Sequence, residues 1–166
     1  PELALQIATT FIPEEQGNNR YFSDAARDLL SGVMNVFIEC ADDRWNFADV
    51  LYALRSPVRL VHVLSQTEEG QDLIELHLRG ETTTRSVLST LRAKLTFFDV
   101  PAALWRHAGE AGRKFSLSDF LQQNRILLLG NYQAAAAPVQ AINRVLFNRL
   151  TQLILNQSED ENRRTW

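Results

Sequence analysis

A single cysteine, Cys40, stands in the whole sequence, so an intramolecular disulfide is excluded and no cysteine-based zinc site can be assembled. Cys40 falls on the apolar side of a helical pattern and reads as a buried, inert thiol. Long apolar runs are missing too. None approaches the roughly 20 residues a membrane span needs, and the N-terminus lacks signal-peptide character, so the expectation is a soluble, cytoplasmic chain. There is no excess of positive charge: 17 Lys and Arg stand against 20 Asp and Glu, a formal net charge of −3. Nothing global therefore draws this chain to a polyanion, and any nucleic-acid surface has to be local.

The common chemical signatures are also absent. There is no GxSxG, CxxC, GxGxxG or HExxH, and no GxxxxGK(S/T) loop whose backbone amides would cradle a nucleotide phosphate. His62, His77 and His107 are scattered, with no carboxylates at matching positions, and read as surface or satisfied core residues. The adjacent pairs Asp42-Asp43 and Glu68-Glu69 diverge from any common helical face and are most simply solvated turn residues. Arg163 and Arg164 follow the acidic SEDE run and read as solvent-facing charges in a turn. No catalytic, cofactor-binding or metal-ligating residue is assigned. By itself the chain is expected neither to bind nor to hydrolyse ATP.

What is present is helical periodicity. The 166 residues are 45% hydrophobic, enough for one sizeable core and a small appendage. Leu3, Ile7 and Phe11 recur four apart in a helix over Glu2–Phe11 that Pro13 ends. A second helix starts near Tyr21 or Ser23 and runs to Cys40, with Phe22, Ala26, Leu29, Leu30, Val33, Phe37 and Cys40 on one stripe. Asn46 caps a third, FADVLYALR, with Asp49 at the capping-box position. Ser56-Pro57 opens a fourth, with Leu60, Val61 and Leu64 as core contacts. A fifth spans Gly70–Leu78, carries Leu73, Ile74 and Leu76 inwards, and stops before Gly80. The sixth, from Thr83 to Phe98, is patterned by Val87, Leu88, Leu91, Leu95 and Phe98; Asp99-Val100-Pro101 ends it, with a further turn or two in PAALWRHA. There is no internal repeat, though Ala134 to Ala137 is locally biased.

The last third reads differently. GEAGRK, Gly109 to Lys114, is the linker; a short helix then starts at Ser116 or Ser118 with Asp119 near its positive end. Ile126 to Leu129 form a short continuous apolar run closed by Gly130 and Asn131, suited to a strand over Arg125–Gly130 buried on both faces of a parallel sheet. A helix from Ala136 to Asn156 presents Val139, Ile142, Leu146, Leu150 and Leu153; SEDENRR turns, and a second strand begins at Thr165-Trp166. A buried strand with a covering helix implies a parallel partner strand, so the piece resembles the edge of a larger α/β domain. The fold class is therefore mainly α: a helical bundle over residues 1–112, followed by a strand–helix piece of an α/β domain over 113–166. An unpartnered apolar strand edge also predicts that this piece packs back on the bundle or pairs with its copy in a dimer.

One constellation carries charge. Arg85 and Arg92 are seven apart, nearly in line on the sixth helix, with Ser89 between them and Lys94 and Arg106 further along. Such a stripe suits weak contacts to phosphates or a partner protein, because arginines position a nucleic-acid backbone without reading bases. On these residues alone, an ordinary solvated helix face is the preferred reading. Phe97, Phe98 and Trp105 lie nearby and suit core packing better than base stacking.

An ordered series of segments runs from IATTFIP through YFSDAARDLLSGVMNVFI, NFADVLYALRS and ETTTRSVLSTLRAKLTFFDVPAALW to FSLSDFL, the hydrophobic strand and helix, and RRTW. That series is similar to the TraG/TraD-like coupling ATPases of conjugation and type IV secretion. The resemblance covers nearly the whole chain, and the order carries it more than any single motif. It implies an all-α domain inserted in a RecA-like motor domain between the Walker A and Walker B regions, neither of which is in this sequence. It further implies a hexameric, membrane-anchored parent that hydrolyses ATP with Mg²⁺ at the cytoplasmic face of the inner membrane, with DNA and a relaxosome or secreted-substrate protein as partners. The alternative is a stand-alone helical interaction adaptor without a motor; a small hydrolase using one histidine ranks last.

Overall fold

Helix α2 is the longest fully described helix, Arg20–Cys40, and the residues it buries do not fit on one stripe. Ala25, Ala26, Leu29, Leu30, Gly32, Val33, Met34 and Val36 are all inaccessible or nearly so, which makes α2 the axis of the core rather than one wall of it. A computed structural model describes residues 2–42, 44–113, 115–123, 125–130, 133 and 136–164, leaving aside the side chains of residues 18 and 157–164. The chain divides into two compact units, Pro1–His107 and Ala108–Trp166.

In the first unit α2 is packed by α1 (Glu2–Phe11), α3 (Phe47–Leu54), α4 (Pro57–Leu64), α5 (Glu68–His77) and α6 (Glu81–Leu95). A 3₁₀ turn, Thr96–Phe98, leads from α6 into α7, Asp99–Glu110. Alanine explains how α1 lies against α2. Ala4 and Ala8 are its buried residues, with Ile12 buried just past its end, whereas the expected stripe of Leu3, Ile7 and Phe11 is half-buried. Small side chains at a helix contact shorten the interaxial distance. At the far end of α1, Phe11 stacks on Phe98 with ring centroids 4.2 Å apart and meets Phe47 edge-on at 5.3 Å. Three rings from α1, α3 and the turn after α6 thus close one end of the core.

Local chemistry fixes the helix starts. Asn46 Oδ1 accepts from the Ala48 amide and Asp49 Oδ2 accepts from the Asn46 amide, the reciprocal box expected from the sequence. Pro57 opens α4. The fifth helix begins at Glu68 instead of Gly70, because Thr67 Oγ1 accepts from the Gly70 amide and so caps it; Glu68 and Glu69 are first-turn residues, favourable beside the positive helix end. Gly70 permits the tight α4–α5 corner: a Cβ there would stand 2.0 Å from the Leu64 carbonyl oxygen. A Cβ on Gly32 would clash with the flexible Leu73 Cδ1, at 2.3 Å, and touch Leu64 Cδ2 at an ordinary 3.4 Å.

Several single-residue expectations are corrected. Cys40 is exposed, because it ends α2 beyond the reach of the packing helices. Val61 and Leu76 are exposed, since α4 and α5 each bury only a narrow face: Leu60 and Leu64 on α4, and Gly70 and His77 on α5. His77 is a core histidine satisfied on one side: its Nε2 lies 3.0 Å from Asp28 Oδ2, which assigns the proton to Nε2 because a carboxylate only accepts, while its buried Nδ1 has no hydrogen-bond partner among the described residues.

The second unit contains α8 (Leu117–Leu121), started by Ser116 whose Oγ accepts from the Asp119 amide, and α9 (Ala136–Arg164), against which α8 packs. The expected strand over Arg125–Gly130 is not one: there is no strand among the described residues. A strand exists through its ladder partner, and no neighbouring strand is present to supply one. Ile126 and Leu128 are 89% and 87% exposed, and Asn143 Nδ2 on α9 donates to the Gly130 carbonyl at 2.8 Å. The helix expected to stop at Asn156 continues to Arg164, through the SEDENRR run read as a turn; that run has no Gly or Pro to break a helix. The expectations on Asp43, Lys114, Asn131, Ala134 and Thr165-Trp166 lie outside the described residues, as do the side chains of Arg163 and Arg164.

The two glycines give opposed expectations. Gly70→Ala drives a methyl into backbone and should destabilise by about 3 kcal/mol, whereas Gly32→Ala displaces one leucine tip and should cost about 1 kcal/mol. Urea unfolding of both variants followed by circular dichroism checks the order; equal losses would mean that the α4–α5 corner is not rigid.

Candidate functional site

The charged residues singled out in the sequence sit on two helices, and the structure separates them. Arg85, Ser89 and Arg92 share one exposed edge of α6 because i, i+4 and i+7 lie close to one line on a helix. Below that edge is a groove of about 580 Å³ between α6 and the α3–α4 corner. Its apolar wall is leucine: Leu51 and Leu54 from α3, and Leu88, Leu91 and Leu95 from α6. Arg55, at the end of α3, lines it opposite the start of α7.

The cations differ in what already holds them. Arg85 Nη2 is 2.6 Å from Glu81 Oε1 one turn back, but both side chains are largely solvated, so the pair is weak and exchangeable. Arg55 is bonded to Asp99 at the start of α7. Arg92 has no ion-pair partner among the described residues, and its guanidinium is free to contact an incoming anion. Lys94 lies well round the helix from this edge and is bonded to Glu15, in the connection between α1 and α2. Arg106 Nη2 reaches Asp49 Oδ1 at 2.6 Å and so ties α7 to the capped start of α3. The stripe thus resolves into an exposed edge, Arg85–Ser89–Arg92, and two arms, Lys94 and Arg106, that hold the bundle together.

The aromatic residues divide in the same way. Phe98 is core, in the three-ring cluster, whereas Phe97 and Trp105 are exposed and contradict the core reading for those two. Arg55 and the leucines of α3 were missed by sequence reasoning. Each helix's own periodicity marks an apolar face, but not which neighbour leaves that face partly open. Among the described residues no group of three His, Cys, Asp or Glu side chains is placed to hold a metal, and no helix is long and apolar enough to cross a membrane.

The bond from Lys94 holds the Glu15 carboxyl below its ordinary value of 4.5. A carboxyl lowered in the folded state stabilises the fold above its unfolded value, and that contribution disappears as pH falls through the folded value. Glu15→Gln should therefore lower the melting temperature at pH 7 and cease to do so as the pH falls below about 4.5. Thermal melts of both proteins from pH 7 to pH 3 check this; a difference independent of pH would show that Glu15 acts by packing.

Comparison with curated proteins and with solved structures gives no match. A family model does match, over residues 1–166: the type IV secretion-system coupling protein DNA-binding domain. A helical unit with an arginine edge, matched along its whole length, is accounted for by that one finding, and the chain belongs to the type IV secretion-system coupling protein DNA-binding domain family.

Proposed function

We propose that this domain holds DNA by its phosphate backbone along the exposed edge of α6, with Arg85 and Arg92 as the charged contacts and Ser89 as a hydroxyl donor between them. The observation that carries this reading is Arg92, without an ion-pair partner among the described residues, in line with an Arg85 whose own ion pair is exchangeable. Contacts of this kind position a nucleic acid without selecting its sequence. The net charge of −3 opposes the polyanion at long range, so binding is weak. Lys94 and Arg106, committed to Glu15 and Asp49, contribute little.

On this reading the helical unit faces cargo, and a relaxosome or secreted-substrate protein is its second partner. The domain serves a hexameric, membrane-anchored RecA-like motor at the cytoplasmic face of the inner membrane. Residues 113–166 are the strand–helix piece of that motor, and 125–130 becomes a strand when a neighbouring strand covers it. The near-complete exposure of Ile126 and Leu128, alternate residues of one apolar run, supports this: such a segment lacks its cover. ATP and Mg²⁺ belong to other parts of the motor. The residues of this chain do not fit them, having neither a phosphate loop nor a cluster of metal-ligating side chains among the described residues.

Labelled single-stranded and duplex DNA, titrated at low salt, should bind weakly and without sequence preference. For two phosphates on a single strand, log K should fall with log salt at a slope of about −1.4. The double variant Arg85→Ala/Arg92→Ala should flatten that slope. Tight binding unaffected by the double change would remove the α6 edge from the DNA contact. The uncovered run makes a separate expectation, that the whole chain self-associates in light scattering whereas a chain ending at Gly112 stays helical and monomeric. A monomeric whole chain with Leu127 and Leu129 amides protected from exchange would count against it.

A further inference from the structure

We propose that the groove between α6 and the α3–α4 corner is the docking site for an acidic amphipathic helix of a partner protein. It shares Arg85 and Arg92 with the DNA edge proposed above, but its lining is a separate feature. That lining is aliphatic: Leu51, Leu54, Leu88, Leu91 and Leu95, with no aromatic ring among the described residues that face it. Bases bind apolar surfaces by stacking on aromatic faces, so leucines alone make a poor platform for them and a good one for aliphatic side chains. Leu88 is only half-buried, so the groove has apolar surface still to cover.

The charges around this lining point to the sign of the partner. Glu81 and Asp99 are each bonded to an arginine, Arg85 and Arg55 respectively, while Arg92 is bonded to none among the described residues. The charged side chains that line the groove, Arg55, Arg85 and Arg92 against Glu81 and Asp99, therefore leave one cation in excess. The spacing of the arginines points to its conformation. Arg85 and Arg92 are seven residues apart, about 10 Å along α6, which is the i to i+7 separation on a second helix laid beside it. Carboxylates one heptad apart meet both guanidiniums, and leucine-type side chains on the adjacent stripe enter the lining.

The test uses the 166-residue chain and labelled peptides of about 18 residues, long enough to lie along all of α6. One peptide carries leucines on one face and glutamates a heptad apart; the other has lysines in place of the glutamates. Anisotropy titration should show the acidic peptide binding at least about tenfold more tightly than the lysine peptide. Arg92→Glu should weaken the acidic peptide about tenfold without changing the circular dichroism spectrum. Leu88→Asn, which keeps both arginines, should weaken the peptide and leave single-stranded DNA binding as it was. If the acidic peptide does not bind, if both peptides bind alike, or if neither substitution matters, the proposal is overturned. A Leu88→Asn protein that loses DNA instead assigns the lining to nucleic acid and overturns it as well. An unsubstituted chain that binds the acidic peptide but no DNA overturns only the DNA reading.

Discussion

Everything in the helical unit depends on α2 being contacted from several sides at once. A helix buried on one stripe tolerates bulky residues everywhere on that stripe. A helix that is an axis needs small residues wherever a neighbour comes close, and α2 has Ala25 and Ala26 in its buried first half and Gly32 where Leu73 reaches in from α5. Each fully buried leucine on such an axis, Leu29 and Leu30 among them, contributes about 2 kcal/mol. The remaining helices are short, eight to fifteen residues, and have little stability without this shared surface. Their positions, and with them the groove, follow from how they fit around α2.

The groove exists because α6 serves two purposes. Val87, Leu91 and Leu95 are buried, while Leu88 and the Arg85–Ser89–Arg92 edge turn outward next to the α3–α4 corner. That corner stays put through contacts that have nothing to do with binding. Asp49 caps α3 and also receives Arg106, Arg55 is bonded to Asp99, and Arg59 lies 3.8 Å over the Tyr52 ring while donating to the Tyr52 carbonyl. A surface held in this way requires little ordering when a partner arrives, which lowers the entropic cost of association.

How much of this the sequence disclosed varies with the range of the interaction. The Asn46–Asp49 box, the Pro57 start, the Gly80 stop and part of the buried surface of α2, Ala26, Leu29, Leu30 and Val33, are local or periodic signals, and they were readable. The start of α5 was misplaced by two residues because Thr67 looked like any other residue of a polar stretch until its hydroxyl met the Gly70 amide. The Arg125–Gly130 run shows the opposite limit. Its composition is that of a buried strand, but pairing is a property of two segments, and one apolar run does not determine it. The arginine edge was legible as a spacing, yet nothing in the chain near Lys94 or Arg106 reveals that Glu15 and Asp49 engage them.

The three-ring cluster of Phe11, Phe47 and Phe98 also governs the order in which the unit can be completed during synthesis. Phe11 leaves the ribosome before all but the first turns of the bundle, but its stacking partner is in the turn after α6, nearly the last part of the bundle to emerge. Until then α1 has only its alanine contact with α2, and one end of the core stays open. Closure of that end is a long-range event whose loop entropy is met all at once. The arginine edge on α6 is made by the same late segment, so a nascent chain does not present a finished edge on an unfinished bundle.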